Sequence, residues 1–212
     1  MNNIPKKIFR ILLLNLFSCM VLVGCKESEW RNAVLSAGFD IGEWETSAEN
    51  INAAVEVSAI PQENTPLGPR LTFLANSTSF PFDFSLENTA VDDPWALVYA
   101  DQEAGNHKWG WISIGDVDDY ENDDFEISIT GNSVYAFAIE IGDNVFSADE
   151  FVEIYGIDSE SGEETFLKQF TGSELKPFLG ILSPVPLNRV FYNESTDGDD
   201  IMVRNLRFGI LN

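Results

Sequence analysis

Short segments in which apolar and polar residues alternate dominate the chain from about residue 51 onward. In "FPFDFSL", for example, Phe80, Phe82, Phe84 and Leu86 occupy every second position. This spacing places apolar side chains on one face of a β-strand. Comparable segments occur at 51–59, 95–100, 108–114, 124–130, 133–141, 150–156, 164–170, 178–182, 188–193 and 200–210. The sequence therefore predicts an all-β fold.

Turn sequences such as "EAGN", "TGNS" and "TDGDD" separate most of these segments, which indicates antiparallel neighbours. Two packed sheets bury both sets of apolar faces, so we predict a jelly-roll-like sandwich over residues 51–212. "VYAFAIEI" is apolar on both faces, which predicts a central strand from Val134 to Ile141. Pro81 predicts an edge strand or a bulge, because proline cannot donate a ladder hydrogen bond.

One short helix is predicted before the strands, within residues 25–50. Ser28 is the predicted N-cap of a helix over residues 29–35, and Gly38 is the predicted stop. Trp30 and Val34 lie on one face of this helix and should pack against the sandwich.

The N-terminus has the pattern of an export signal. Lys6, Lys7 and Arg10 precede an apolar run over residues 11–23. The run is shorter than the roughly 20 residues that a bilayer-spanning helix needs, and it is basic on one side. Residues 1–24 are therefore predicted to be a signal peptide.

Leu22-Val23-Gly24-Cys25 resembles the lipobox of bacterial lipoproteins. The resemblance implies that Cys25 is acylated, that the preceding peptide is removed, and that the chain is held in the cell envelope. Lys26 follows the cysteine in place of the aspartate that retains enterobacterial lipoproteins at the inner membrane, which favours an outer-membrane anchor. An ordinary signal peptide and acylation of Cys19 are the alternatives.

The chain is strongly acidic. It has 12 Lys and Arg against 35 Asp and Glu, and loss of residues 1–24 with their three basic residues changes the formal net charge from −23 to −26. Nucleic acid is excluded as a partner, because binding it requires basic residues that neutralise phosphates. Adaptation to a salty environment and divalent-cation binding both remain as explanations.

Carboxylates concentrate in "GDVDDYENDDFE", residues 115–126, and "STDGDDI", residues 195–201. Calcium prefers several oxygen ligands, and neither segment fits the EF-hand loop, so a structural calcium site would combine separate loops. The alternative is solvated turns. His107 is the only histidine, which excludes a zinc site of several histidines. The candidate calcium ligands are Asp116, Asp118, Asp119, Asp199 and Asp200.

Glu121, Asp123 and Glu126 form an E-x-D-x-x-E pattern, which resembles the catalytic strand of the laminarinase and agarase group of retaining glycoside hydrolases. The resemblance implies that Glu121 is the nucleophile, that Asp123 tunes it and that Glu126 is the acid/base. That group interleaves apolar residues, whereas Asn122 and Asp124 are polar here. The non-enzymatic interpretation is therefore favoured.

Aromatic residues offer another candidate site. Trp109 and Trp111 should project from one strand face, and Trp95 and Tyr99 lie on a neighbouring strand with the same parity. Such a stripe can stack on sugar rings. The alternative is that these rings fill the core, since aromatic residues dominate core burial.

The C-terminal half carries a second resemblance, over Val134–Gly209. Its segments "AFAIEIG", "EFVEIYGID", "FLGILS", "NRVFYN" and "DGDDIMVRNLRFG" are similar to the last strands of β-sandwich domains in exported bacterial proteins, including many with PEP-CTERM sorting tails. This resemblance implies a sandwich fold and an exported location, with carbohydrate and structural calcium as candidate ligands.

The sequence thus predicts a lipid-anchored envelope or surface binding module. Carbohydrate is the leading ligand class. The alternatives are a structural or assembly lipoprotein that binds another envelope protein and, third, a glycoside hydrolase.

Overall fold

A computed structural model describes much of the chain from Lys26 onward. The described residues are 26–46, 50, 65–66, 70–75, 80–89, 97–100, 111–114, 124–142, 148–158, 160–172, 174–193 and 201–211, with backbone only at 65–66, 97–100, 111–114 and 202.

The described elements are one helix and thirteen strands. Helix α1 spans Glu27–Ser36, and the first strands are β1 Asp40–Trp44, β2 Thr65–Pro66, β3 Arg70–Phe73, β4 Phe84–Asn88, β5 Leu97–Ala100 and β6 Trp111–Ile114. The remaining strands are β7 Phe125–Ile129, β8 Val134–Ile141, β9 Phe151–Ile157, β10 Glu164–Thr171, β11 Phe178–Leu182, β12 Leu187–Asn193 and β13 Ile201–Ile210.

These strands form two antiparallel sheets. Sheet I has the order β11-β8-β13-β6-β5-β2, and β1 also pairs with β13. Sheet II has the order β10-β9-β12-β7-β4-β3. From β7 onward the chain passes repeatedly between the sheets, which is typical of jelly rolls. The predicted two-sheet antiparallel sandwich with one short helix is confirmed.

Phenylalanine rings fill much of the space between the sheets. Phe80, Phe82, Phe84 and Phe137 all lie within 5.7 Å, centroid to centroid, of the Phe208 ring from sheet I. All five rings are buried. The alternation in "FPFDFSL" therefore predicted the core face correctly.

The prediction that Pro81 marks an edge strand or a bulge is wrong, because Pro81 precedes β4 and the described pairing of β4 has no register shift. Strand β4 lies between β3 and β7 in sheet II. Pro81 lies in a bend before β4 begins at Phe84, so its missing N–H costs the sheet no hydrogen bond.

Strand β8 is central, as predicted. It pairs with β11 on one side and β13 on the other. Phe137 and Ile139 face the core between the sheets, whereas Ala136 and Ala138 face the opposite side.

Helix α1 covers that opposite side, the outer face of sheet I. Trp30 and Val34 are fully buried there, and Trp30 Nε1 donates a hydrogen bond to the carbonyl oxygen of Ile181 at 3.0 Å. A Cβ at Gly180 would lie 2.7 Å from the Trp30 ring, and one at Gly209 would lie 2.9 Å from Val34. Glycine at these positions lets the helix pack closely on the sheet.

The predicted N-cap at Ser28 is wrong. Helix α1 begins at Glu27, and Ser28 lies inside its first turn. Lys26 is the N-cap, and its backbone N–H donates to Glu29 Oε2 at 3.2 Å. Glu29 in the first turn accepts the amide hydrogen of the N-cap residue, and its negative charge is favourable at the N-terminal end of the helix dipole. The predicted stop at Gly38 agrees with its φ of 85°.

A charged network joins α1 to sheet I. Glu27 Oε1 contacts Arg207 Nε at 3.3 Å and accepts from Arg31 Nε at 2.7 Å. Arg207 Nη2 donates to Glu140 Oε1 at 2.9 Å, and Arg204 Nη2 contacts Glu140 Oε2 at 2.6 Å. The start of the helix is therefore fixed by ion pairs as well as by packing.

Strand β1 was not predicted. It pairs with residues 206–210 of β13, and of its five residues Trp44 alone is buried. A strand with so few buried positions shows no clear alternation of apolar and polar residues. Its pairing with β13, which lies far away in the sequence, could therefore not be predicted from the local sequence.

Candidate functional site

The outer face of sheet II carries an unusual number of aromatic side chains for a solvent-facing surface. In β9, Val152 and Ile154 are buried, so the alternate positions Phe151, Glu153 and Tyr155 point outward. Phe166, Arg189 and Phe191 from neighbouring strands lie on the same face. We call these five outward residues, Phe151, Tyr155, Phe166, Arg189 and Phe191, the ring surface.

Strand pairing arranges this surface in rows that cross the strands. In the first row, Phe166 of β10 faces Tyr155 of β9, and Tyr155 faces Arg189 of β12. Arg189 in turn faces Ser128 of β7. The second row runs from Gln169 through Glu153 and Phe191 to Glu126.

A β-bulge in β10 turns Phe166 outward. The pairing between β10 and β9 shifts between Phe166 and Lys168, so Leu167 is an extra residue. Phe166 and Phe170 are four positions apart and would share a face in a regular strand. Because of the bulge, Phe170 is buried while Phe166 is 53% exposed.

The rings of this surface contact one another. Phe166 packs edge-on against Tyr155 with centroids 5.7 Å apart, and Phe151 and Phe191 are 6.3 Å apart. The Arg189 guanidinium carbon lies 3.7 Å from the centroid of the Tyr155 ring. Stacked cations and edge-on rings hold aromatic side chains in defined orientations.

Carboxylates fix Arg189 in place. Its Nη2 donates to Glu164 Oε1 at 2.7 Å, and its Nη1 lies 3.5 Å from Glu126 Oε2. The hydrogen bond from Arg189 lowers the pKa of Glu164 below its usual value, although partial burial opposes this. The guanidinium charge is therefore balanced within the surface.

Polar groups lie beside the rings. The Tyr155 hydroxyl donates to Glu153 Oε2 at 2.5 Å, and Gln169 Nε2 donates to Glu153 Oε1 at 3.3 Å. Asn193 Nδ2 donates to Asp124 at 3.1 Å. The hydrogen bond to Glu153 and partial burial raise the pKa of Tyr155 above 10.0. The surface thus combines aromatic rings with amides and carboxylates.

Glu126 is the described member of the E-x-D-x-x-E pattern. It lies on the outer face of β7, contacts Arg189 and accepts a hydrogen bond from Ser128 Oγ at 2.6 Å. Strand β7 begins at Phe125, and Glu121 and Asp123 lie outside the described residues. A catalytic role for the pattern stays a prediction.

Tyr99 and Trp111 belong to strands β5 and β6 of sheet I. The register pairs Tyr99 with Ile112 and Trp111 with Ala100, so the two aromatic residues occupy positions of opposite parity. Ile112 pairs with Val203 of β13, and Val203 is buried in the core. Parity across two strands depends on their register, which odd and even sequence numbers do not determine. Ligand binding by these residues stays a prediction.

The other predicted site residues lie outside the part of the chain that the structure describes. They are Cys25, Trp95, Trp109, Asp116, Asp118, Asp119, Asp199 and Asp200. Within the described part, no group of three or more His, Cys, Asp and Glu side chains is placed to hold a metal ion. Calcium binding therefore stays a prediction. Among the same residues, no helix has the length and apolar character needed to cross a membrane.

The sequence patterns did not predict the ring surface. A signal was present in "FVEIYGI", where the outward positions Phe151 and Tyr155 are aromatic although the inward positions already supply the core. The outward turn of Phe166 had no comparable signal, because the bulge becomes visible only when β10 pairs with β9.

Fold and surface together define an antiparallel β-sandwich with an aromatic outer face. No protein-family model matches the chain, and no curated protein matches it in sequence.

Similarity is found among solved structures. The family 32 carbohydrate-binding module of C. perfringens NanJ, solved with galactose, has a TM-score of 0.37 and 14% identity, over 66% of this chain and 98% of that one. The low-affinity xylan-binding module CBM86 of Roseburia intestinalis has a TM-score of 0.36 and 11% identity, over 67% and 96%. The K2 cleaved adhesin domain of Lys-gingipain has a TM-score of 0.36 and 14% identity, over 80% and 100%. Similarity at this level assigns neither a family nor a ligand to this chain.

Proposed function

We propose that this protein is a non-catalytic carbohydrate-binding module, anchored in the bacterial cell envelope by lipid on Cys25, and that its glycan binds at the ring surface. The observation that carries the proposal is the exposed Phe166 ring beside Tyr155, with polar groups of Glu153 and Gln169 on the same face.

The chemistry of the ring surface suits a sugar. A pyranose ring has an apolar face of C–H groups that can cover an aromatic ring, and its rim of hydroxyls both donates and accepts hydrogen bonds. Binding sites of this kind combine apolar or aromatic area with a few placed polar groups. Phe166 and Tyr155 supply the area, whereas Glu153 and Gln169 supply acceptors and a donor.

The fold does not require an exposed aromatic ring at Phe166. The core between the sheets already buries a large set of apolar side chains, including those of β9 and β12. Burying a phenylalanine side chain stabilises a protein by about 1.5–3 kcal/mol. Phe166 gives up much of that gain by remaining 53% exposed, which a binding role explains.

Lipid anchoring rests on the lipobox at residues 22–25 and on the export signal before it. Mass spectrometry of the protein purified from bacterial membranes tests this part, because acylation of Cys25 adds a defined mass to the N-terminal peptide.

Phe166→Ala tests the glycan site. Residues 25–212 would be incubated with insoluble polysaccharides, and the retained fraction would be measured with and without calcium. We expect the unchanged chain to be retained on at least one polymer and the variant to lose most of that retention. The free energy of unfolding should fall by only about 1 kcal/mol, because the ring is 53% exposed and its loss leaves no cavity between the sheets.

Leu35→Ala is the matched control. Leu35 is 57% exposed, close to the exposure of Phe166, but it lies on α1 at the opposite side of the sandwich. Equal loss of retention in both variants would contradict a site at the ring surface. No retention of the unchanged chain on any polymer would contradict the glycan module as a whole.

An envelope protein is the second candidate partner, and strand β10 favours it. β10 is eight residues long and pairs with β9, and no strand is described on its other side. An open strand edge can accept a strand from a partner. Crosslinking in intact cells from a residue placed at Thr165 would capture such a partner, and this partner becomes the leading candidate if no glycan is bound.

A further inference from the structure

The first row of the ring surface is continuous across the strands. Phe166 and Tyr155 are in edge-on contact, the Arg189 guanidinium lies over Tyr155, and Ser128 follows on the next strand. Neighbouring strands are about 4.8 Å apart, so the row extends roughly 14 Å from β10 to β7. A ligand lying across the strands would contact ring, ring, guanidinium and hydroxyl in turn.

Along a single strand, in contrast, the aromatic side chains do not form a continuous row. On β9 the two outward rings, Phe151 and Tyr155, are separated by the carboxylate of Glu153. A chain lying parallel to β9 would place an apolar sugar face over this charge. The long axis of the ligand should therefore cross the strands.

The charges of the surface limit what the ligand can carry. Arg189 is already held by Glu164 and Glu126, and Glu153 adds a further carboxylate beside it. A sugar acid or sulfate at this surface would meet like charges and a guanidinium that is already paired. The formal net charge of −23 adds repulsion at longer range.

We infer that the ring surface binds an uncharged glycan chain of several sugars, which lies across strands β10, β9, β12 and β7. This inference rests on the proposed carbohydrate-binding function and adds the length, direction and charge of the ligand. Phe166 carries a stacked sugar, Tyr155 contacts the next sugar along the row, and Ser128 and Glu126 bind hydroxyls at the far end. Arg189 is a positioning residue that holds the Tyr155 ring.

The experiment is a titration of oligosaccharides of increasing length. Isothermal titration calorimetry would measure residues 25–212 against neutral xylo-, cello- and manno-oligosaccharides from monosaccharide to hexasaccharide. Oligogalacturonates of matched length provide the anionic probe. We expect the affinity for one neutral series to rise with length until the chain spans the row, and the oligogalacturonates to bind more weakly at every length.

Ser128→Ala separates the two ends of the row. Loss of one hydrogen bond should weaken hexasaccharide binding by about threefold to tenfold, while monosaccharide binding stays unchanged. Phe166→Ala should weaken binding at every oligosaccharide length. Leu35→Ala should leave the affinities for the monosaccharide and the hexasaccharide unchanged.

The outcomes distinguish the inference from the function on which it rests. Equal affinity for monosaccharide and hexasaccharide, or oligogalacturonates that bind as tightly as the neutral series, would overturn the inference and leave a glycan module standing. Absence of binding to every neutral and anionic sugar would overturn both.

Discussion

Phe166 owes its exposure to one inserted residue. Leu167 occupies the bulge of β10, and the residues on its two sides therefore belong to different faces of sheet II. Bulges commonly change the direction of a side chain near a functional site. Here the change brings an aromatic ring to solvent beside Tyr155, and the ring surface depends on it.

Glu153→Gln should lower the pKa of Tyr155. The phenol donates to the Glu153 carboxylate, and this hydrogen bond is the largest cause of the raised pKa. A neutral amide removes the charge that stabilises the protonated phenol, so the pKa should fall back toward 10.0. Titration of ¹³C-labelled tyrosines by NMR would measure the shift.

Tyr135 is the internal control for this titration. Its pKa is raised by burial against α1, far from Glu153, so it should be the same in both proteins. A Tyr155 pKa that did not respond to the substitution would show that the contact with Glu153 is absent in solution.

At the scale of elements, α1 is an integral layer of the fold. Its apolar face is buried on sheet I, and the charged network fixes its first turn to β13 and β8. A ten-residue helix is marginal by itself in water, so its stability comes mainly from this packing.

Trp30→Ala should therefore destabilise the whole domain. The substitution empties a fully buried site and removes the hydrogen bond to Ile181, which should lower the free energy of unfolding by about 3–5 kcal/mol. Urea denaturation followed by circular dichroism would measure it. Leu35→Ala, on the exposed side of the same helix, should cost less than about 0.5 kcal/mol. Similar losses in the two variants would mean that α1 is not docked.

Glu140→Gln should change the acid stability of the domain. Burial acts to raise the pKa of Glu140, but hydrogen bonds from Arg207, Asn205 and Arg204 outweigh it and hold the pKa below 4.5. A lowered pKa in the folded state stabilises the fold at pH values above 4.5, and the effect is lost as pH falls through the folded-state pKa.

The variant should consequently lose about 1.5–3 kcal/mol at neutral pH, the value of a hydrogen bond to a charged group. It should also lose less stability than the parent as the pH falls below 4.5. Urea midpoints at a series of pH values would test both effects, and parallel pH curves for the two proteins would contradict a stabilising role for the Glu140 charge.

The sequence predicted the strands well because their apolar alternation is local. The segment 178–182 matches β11 in full, and 188–193 differs from β12 by one residue. Strand β1 and the outward turn of Phe166 escaped prediction for one shared reason. Both are determined by pairing with a distant strand, β13 in the first case and β9 in the second, and local periodicity does not contain that information.

The ring surface was only partly accessible to sequence reasoning. The sequence predicted carbohydrate binding by aromatic residues within 95–111, whereas the ring surface lies on sheet II. Arg189 stacks on Tyr155, 34 positions away, and pairs with Glu164 and Glu126. Such contacts between four strands require knowledge of the strand order, which alternation alone does not supply.

At the scale of the molecule, the acidity of the chain leads to the calcium prediction. With a formal net charge of −23, the folded chain repels itself, and a divalent cation bound to the aspartates of 116–119 or 199–200 would relieve part of that repulsion. A ligand bound only by the folded state raises the melting temperature by mass action.

We therefore expect a chelator to lower the melting temperature and added calcium to restore it. Magnesium at equal concentration is the control for general screening of charge, because it prefers a smaller and more rigid site. Equal recovery with magnesium would indicate screening alone, and a melt that the chelator does not shift would contradict a structural calcium ion.

The position of α1 also determines how a lipid on Cys25 would orient the domain. Lys26 follows Cys25 directly in the sequence, and its backbone N–H donates to Glu29 Oε2, so a lipid on Cys25 would be attached one residue before the start of α1. The helix begins near Glu140, toward the end of β8, and ends near its start, where Phe39 stacks on Tyr135. If Cys25 carries a lipid, the end of the sandwich that contains Glu140 would face the bilayer, and the turn at Gly131, beyond the other end of β8, would point away from it.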